Sequence, residues 1–392
     1  MNAAMKAGEP TLLADLLEDD AVSFETLHQR YGALLELVRT LIGVVPNCDR
    51  YLEIWPTAFR SYNVLVPNLL DLPFLIWGMG APRASVGLSM YVSSRAAGCP
   101  YCSAHACSFA LRRGASVDQV AAAIEEEAKL APRERAVARV ARALGSAGAV
   151  LAEEDRAELR RQYSRGDVEW IVLAIAMMGW LNKAMNGLGV PLELPTVEET
   201  NGIIARSGWT PGGHLRQSFE TGEPPRPDSL GTRLGIIRHA PSALALDKKW
   251  TAGVPDSWPA VGDYLRARTG HDFPILSRLR HGRAIRAIAM MIRDNLDDSV
   301  IGLERKLSAG LVYAETVGAV AVAADLRALG ARPLPESPVE LLARAVSPSP
   351  TQVDAAVVET SRSIPAAGIV EIVTFIALLQ LLHRLEGFYG AD

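Results

Sequence analysis

No long basic run appears anywhere in this 392-residue chain, which carries 40 Lys and Arg against 44 Asp and Glu for a formal net charge of −4. Without a positive face there is no electrostatic footprint for nucleic acid. Cysteine is also scarce. Four residues over this length do not build a secreted disulfide framework, and a cytoplasmic, reducing compartment is expected. The amino-terminal stretch MNAAMKAGEPTLLADLLEDD is acidic and lacks the basic-then-apolar layout of a secretory signal. The most apolar run, Ile369 to Leu382, is too short to span a bilayer and contains Glu371 and Gln380; it predicts a buried helix, with no membrane partner. Alternating strand patterns are rare and β-branched runs short, which argues against a sheet-based domain.

What remains is helical. Segments 115–130, 132–145 and 153–163 place apolar residues at helical spacing between Gly, Pro and Ser punctuation. At this length two domains or a duplicated unit is the default expectation. The Pro/Gly-rich texture between about Ser207 and Thr232 marks a linker, and the chain on either side of it looks related. Aromatic-Pro pairs, Trp55-Pro56 and Phe273-Pro274, stand near the start of each half. Segment 94–114 can be laid beside 308–330, and the closing segments 169–189 and 370–390 match at Ile171, Val172, Ala176 and Leu181 with Ile372, Val373, Ala377 and Leu382. The change of offset implies a piece lost from the second half, roughly where PRERAVARVARALG lies in the first. The second half has no cysteine.

Three of the four cysteines fall in GCPYCSAHAC, residues 98–107. Gly98 and Pro100 predict a helix opening at Cys99, with Pro100 in the first turn, where its missing N–H costs nothing. Gly114 predicts the stop. Cys99, Cys102 and His105 then share one face at steps of three. A thiol in a first helical turn meets unpaired N–H groups that favour thiolate, and an imidazole one turn on can take its proton. Thiolate attack followed by closure onto the second thiol suits this layout. The competing readings are a structural cysteine pair, a zinc site using Cys99, Cys102, His105 and Cys107, and a glutaredoxin-like domain, which the helical surroundings disfavour.

The stretch from Ser94 to His105, followed by LAPRERAVARVARAL (130–144) and residues 151–193, resembles the AhpD-like alkylhydroperoxidase and carboxymuconolactone decarboxylase superfamily. The resemblance covers about residues 45–195 well and 265–390 as a degenerate echo. It implies an all-α, AhpD-like helical bundle, with two tandem repeats forming a pseudo-dimer. The expected divisions are an N-terminal helical extension (1–44), an AhpD-like domain with CxxCxxH (45–205), a linker (206–235) and a degenerate repeat lacking the cysteines (236–392).

The same resemblance implies a cofactor-free, metal-free thiol oxidoreductase. Cys102 would meet a small organic hydroperoxide and Cys99 would close the disulfide. A lipoyl or thioredoxin-like dithiol would reset the pair, and His105 would work in a proton relay with a glutamate. Such proteins assemble as homo-oligomers. The chain departs from the family where that glutamate usually lies: from Leu72 to Val117 there is no Asp or Glu. Glu304, Glu53 and Asp71 are the candidate relay carboxylates. The alternatives are a decarboxylase-like lyase or isomerase acting on a small organic acid or secondary metabolite, with His105 as general acid/base, and a non-catalytic redox-responsive scaffold. Trp55, Phe74, Trp77 and Trp180 are candidate pocket residues, and Cys48 reads as structural.

Overall fold

The computed structural model describes residues 12–390, so the first eleven residues of the expected N-terminal extension lie outside it. The described residues form an all-α fold without strands. Its principal helices are α1 (Phe24–Ile42), α2 (Pro56–Leu69), α3 (Arg83–Ala96), α4 (Pro100–Arg112), α5 (Val117–Glu125), α6 (Pro132–Gly145), α7 (Glu153–Gln162), α8 (Arg165–Leu188) and α9 (Leu194–Ile204). After the linker come α10 (Leu230–Trp250), α11 (Gly282–Asp297), α12 (Leu303–Val317), α13 (Val320–Ala328), α14 (Pro338–Val346), α15 (Ala355–Ser361) and α16 (Ala366–Tyr389).

Local chemistry sets many of the helix starts. Proline occupies the first helical position of α2, α4, α6 and α14, where the absent N–H is no loss. Ser116, Ser164 and Ser337 cap α5, α8 and α14 through their side chains. The two 24-residue helices α8 and α16 are apolar almost all round and pack against each other at the centre of the molecule, as such helices must to escape water. Both are long and apolar enough to cross a membrane, and 89% of the most apolar 18-residue stretch of each is buried inside the protein.

The halves repeat one packing scheme around this pair. Helix α3 packs on α4, α6 and α8; α12 packs on α13, α14 and α16. The piece missing from the second half is therefore not the counterpart of α6, as the sequence offset suggests, because α14 fills that place. It is the counterpart of α5: between α13 and α14 the chain runs without a helix. The counterpart of α4 is also shorter, nine residues against 13, and opens on Ala319 instead of Cys99. The aromatic-Pro pairs do not match: Pro56 opens α2, whereas Pro274 opens a short 3-10 turn, Pro274–Arg278.

The expected linker is docked rather than loose. Trp209 donates its indole N–H to the Pro100 carbonyl (3.2 Å), and Asp228 pairs with the buried Arg113 (2.5 Å). Helix α10 begins inside the 206–235 span, its Ser229 cap accepting from the Thr232 N–H (3.1 Å), and packs on α1 and α2.

Candidate functional site

Helix α4 opens as its sequence predicts. Cys99 is the N-cap, Pro100 follows, and Gly114 beyond the helix takes φ +98°. The Cys102 N–H donates to Cys99 Sγ at 3.2 Å, so the N-cap side chain that holds the first turn is itself a thiol. All four cysteines are free and buried.

The two thiols face different surroundings. Cys102, together with Tyr101, His105 and Cys48, lines an apolar pocket of about 150 Å³ that Cys99 does not line. Its walls come from Leu34 and Leu41 of α1, Tyr62 and Val66 of α2, Phe109 of α4, Met177 and Met185 of α8, and Ile236 and Ala240 of α10; Trp250, Asp247 and Arg283 also line it. Helix α10, partly assigned to a linker by sequence, is thus a wall of the site. The expected aromatic lining is not used. Trp55 and Trp180 lie in the core, Phe74 is 48% exposed, and Trp77 lies under the Arg233 guanidinium.

The carboxylate beside His105 is Glu193, the residue at the start of α9. His105 Nε2 lies 2.6 Å from Glu193 Oε2; the Tyr101 hydroxyl donates to Glu193 Oε1 at 2.9 Å, and the Asn47 backbone N–H donates to the same oxygen. The Tyr101 and His105 rings lie 4.6 Å apart. With Nε2–H donated to the carboxylate, the other ring nitrogen is left as a base.

None of the three carboxylates expected for this task reaches His105. Glu53 accepts from Arg30 and from the Tyr31 hydroxyl, both at 3.2 Å, and burial raises its pKa. Glu304 is exposed and pairs with Arg332 (2.9 Å). Asp71 pairs with Arg283 (3.3 Å). Glu304 fails because an exposed glutamate at a helix start is satisfied locally, here by Arg332. Glu193 went unnoticed because it lies 88 residues beyond His105; its only local sign is a carboxylate between apolar residues in Val190-Pro191-Leu192-Glu193-Leu194-Pro195.

The expectation of an acidified thiol is also corrected. Burial pushes the Cys102 thiol well up, the Cys99 and Cys48 sulfurs add to this, and the Arg384 guanidinium opposes it. Sealing the helix start from water outweighs its exposed amides. Cys48 belongs to the site: it lines the pocket, and burial with the nearby Asp49 and Glu193 raises its pKa, while the neighbouring Tyr101 and Tyr62 hydroxyls lower it. Cys107 is buried under different influences, its pKa pushed up to about 12 by burial and Glu199. Among the described residues no group of three or more His, Cys, Asp or Glu is arranged to hold a metal ion.

No family model and no curated protein matches the chain. Solved structures of the debrominase Bmp8 are similar to it. The apo form is 22% identical, with 48% of this chain and 96% of the other covered and a TM-score of 0.42. A cysteine-to-alanine variant in complex with 2,3,4-tribromopyrrole is 21% identical, with 48% and 95% covered and a TM-score of 0.40.

Proposed function

We propose that the protein is an AhpD-like, cofactor-free thiol oxidoreductase that reduces the hydroperoxide of an apolar organic molecule. The observation that carries this reading is the asymmetry of the pair: Cys102 and His105 open onto one apolar pocket, and Cys99 stands behind Cys102 within hydrogen-bond reach of its N–H. His105, held by Glu193, takes the Cys102 proton as substrate displaces water from the pocket. The thiolate attacks the terminal peroxide oxygen, forming an S–O bond as the O–O bond breaks. The leaving alkoxide takes the proton from His105 and departs as the alcohol.

Cys102 is then a sulfenic acid. Cys99 attacks its sulfur, an S–S bond forms, and the hydroxyl leaves as water with the Cys99 proton. The two thiols have supplied two electrons. A dithiol of lipoyl or thioredoxin type returns them by exchange, and a reducing cytoplasm suits that cycle.

Replacing Cys102 by Ser tests the reading, with hydroperoxide consumption followed in the presence of a dithiol. Turnover should drop to the uncatalysed rate, and undiminished turnover rejects the role.

A second reading has its own support. The His105–Glu193–Tyr101 arrangement is complete without sulfur, and burial keeps Cys102 protonated at rest. That suits a lyase or isomerase acting by general acid/base catalysis on a small organic acid. Activity that survives thiol alkylation and is lost in His105→Ala selects it.

A further inference from the structure

Behind the cysteine pair, where α8 crosses α16, the interior holds two basic side chains sealed from water, and burial pushes the pKa of both down, that of Lys183 well below its ordinary value and that of Arg384 to about 10. Lys183 and Arg384 occupy the same position in their 24-residue helices and are 2% and 1% exposed. Gly179 makes room for the crossing: a Cβ there would lie 2.9 Å from Arg384 Cδ and 3.2 Å from the Gln380 carbonyl oxygen.

Among the described residues neither cation has a carboxylate partner. Lys183 Nζ donates to the Ser347 carbonyl (2.5 Å), the Pro348 carbonyl and Ser349 Oγ (2.9 Å). Arg384 donates to the carbonyls of Ile175 (2.8 Å) and Gly145 (3.1 Å), while its buried Nε has no partner. Carbonyl dipoles satisfy donors but do not cancel charge. A buried ion without a counter-charge is costly, on the order of several kcal/mol.

The acids within reach of these cations are few. Arg384 feels Tyr313, Cys102 and Cys99, and Lys183 feels Cys99. Tyr313 stays protonated because burial pushes its pKa up, which leaves sulfur. The loop that receives Lys183 leans on the start of α4: a Cβ on Gly98 would lie 2.9 Å from Pro350 Cβ.

We propose that Arg384, with Lys183 beside it, is the buried counter-charge of the Cys99–Cys102 pair, so that the cysteine-free half supplies a positioning residue to the redox site. The inference rests on the pair being the redox centre and names what makes its thiolate stages accessible: Cys99 as attacking sulfur, and either sulfur as leaving group when the disulfide is reduced. On the pocket side the pair faces His105, Glu193, Tyr101, Cys48 and Tyr62; on the crossing side it faces Lys183, Arg384, His383 and Tyr313. Burial pushes the pKa values of the three tyrosines and Cys48 up, which keeps them neutral.

Both cations also close helix ends across the repeat boundary, Arg384 at the end of α6 and Lys183 at the end of α14. That role needs no chemistry, so the test must read sulfur. In the full-length chain, Arg384→Gln, Lys183→Gln and Arg384→Lys are compared with wild type by the pH dependence of iodoacetamide alkylation, resolved at Cys99 and Cys102 by peptide mass spectrometry.

Each neutral variant should raise the alkylation midpoint by about 1–3 pH units, and Arg384→Lys should return it toward wild type. Above the wild-type midpoint the potential of the Cys99–Cys102 disulfide should become more reducing in the neutral variants, because the thiolate form loses stabilisation. An unchanged midpoint in whichever neutral variant keeps a native circular-dichroism spectrum overturns the assignment. Undiminished Cys102→Ser turnover alongside shifted midpoints sinks the redox reading alone; unshifted midpoints with lost Cys102→Ser turnover sink the charge assignment alone.

Discussion

Glu193 shows what a single side chain contributes and why it escaped the sequence. Three donors converge on its carboxylate, from His105, Tyr101 and the Asn47 backbone. Glu193→Gln keeps the shape but offers one acceptor oxygen and a donor, so the imidazole loses its fixed tautomer. Hydroperoxide turnover should fall by about 10²-fold, the low end of what a positioned base contributes, while Glu304→Ala leaves it unchanged; steady-state kinetics at saturating dithiol check both. Cys99, Cys102 and His105 were legible because steps of three on one helix are a local property of the chain. The pairing of His105 with a residue 88 positions away is a product of packing, and no spacing rule encodes it.

Among the elements, helix α4 was legible at both ends, since Pro100 and Gly114 act through backbone geometry alone. Its placement was not. Helix α3 approaches α4 at Gly87, where a Cβ would lie 2.6 Å from the Ala110 Cα, a backbone atom that cannot swing aside. Gly87→Ala must therefore push the two helices apart. Chemical denaturation should show a loss of about 1–3 kcal/mol, as overpacked cores do, and Cys102 should move relative to the pocket, lowering turnover as well. Helix α10 was misread for a related reason. It carries an internal proline, Pro241, and only Ile236 of it is buried, so its own pattern is weak and its contacts with α1 and α2 hold it in place.

On the scale of the whole molecule, the repeated packing scheme was legible as an ordered set of weak matches, but the buried basic side chains where α8 crosses α16 were not. His383 reports on that crossing. Its Nδ1 lies 3.2 Å from the Tyr313 hydroxyl, and burial, Arg384 and Lys183 push its pKa down from 6.5 to about 4. An unfolded chain protonates this imidazole near pH 6.5 and the folded one only near 4, so between these values the unfolded state binds more protons and stability falls as pH drops. The gap corresponds to about 3 kcal/mol. Asp49, pushed up to about 8 chiefly by burial, works the other way: folding favours its proton, and that stabilisation is lost as pH rises from about 4 through 8. The two slopes overlap, so the wild-type profile alone does not separate them. The difference between wild type and His383→Leu does: taken from denaturation at pH 7 and pH 4, it should shift by about 3 kcal/mol in favour of the variant at the lower pH. A pH-independent difference would mean that His383 is not held neutral by burial and the neighbouring Arg384 and Lys183 side chains.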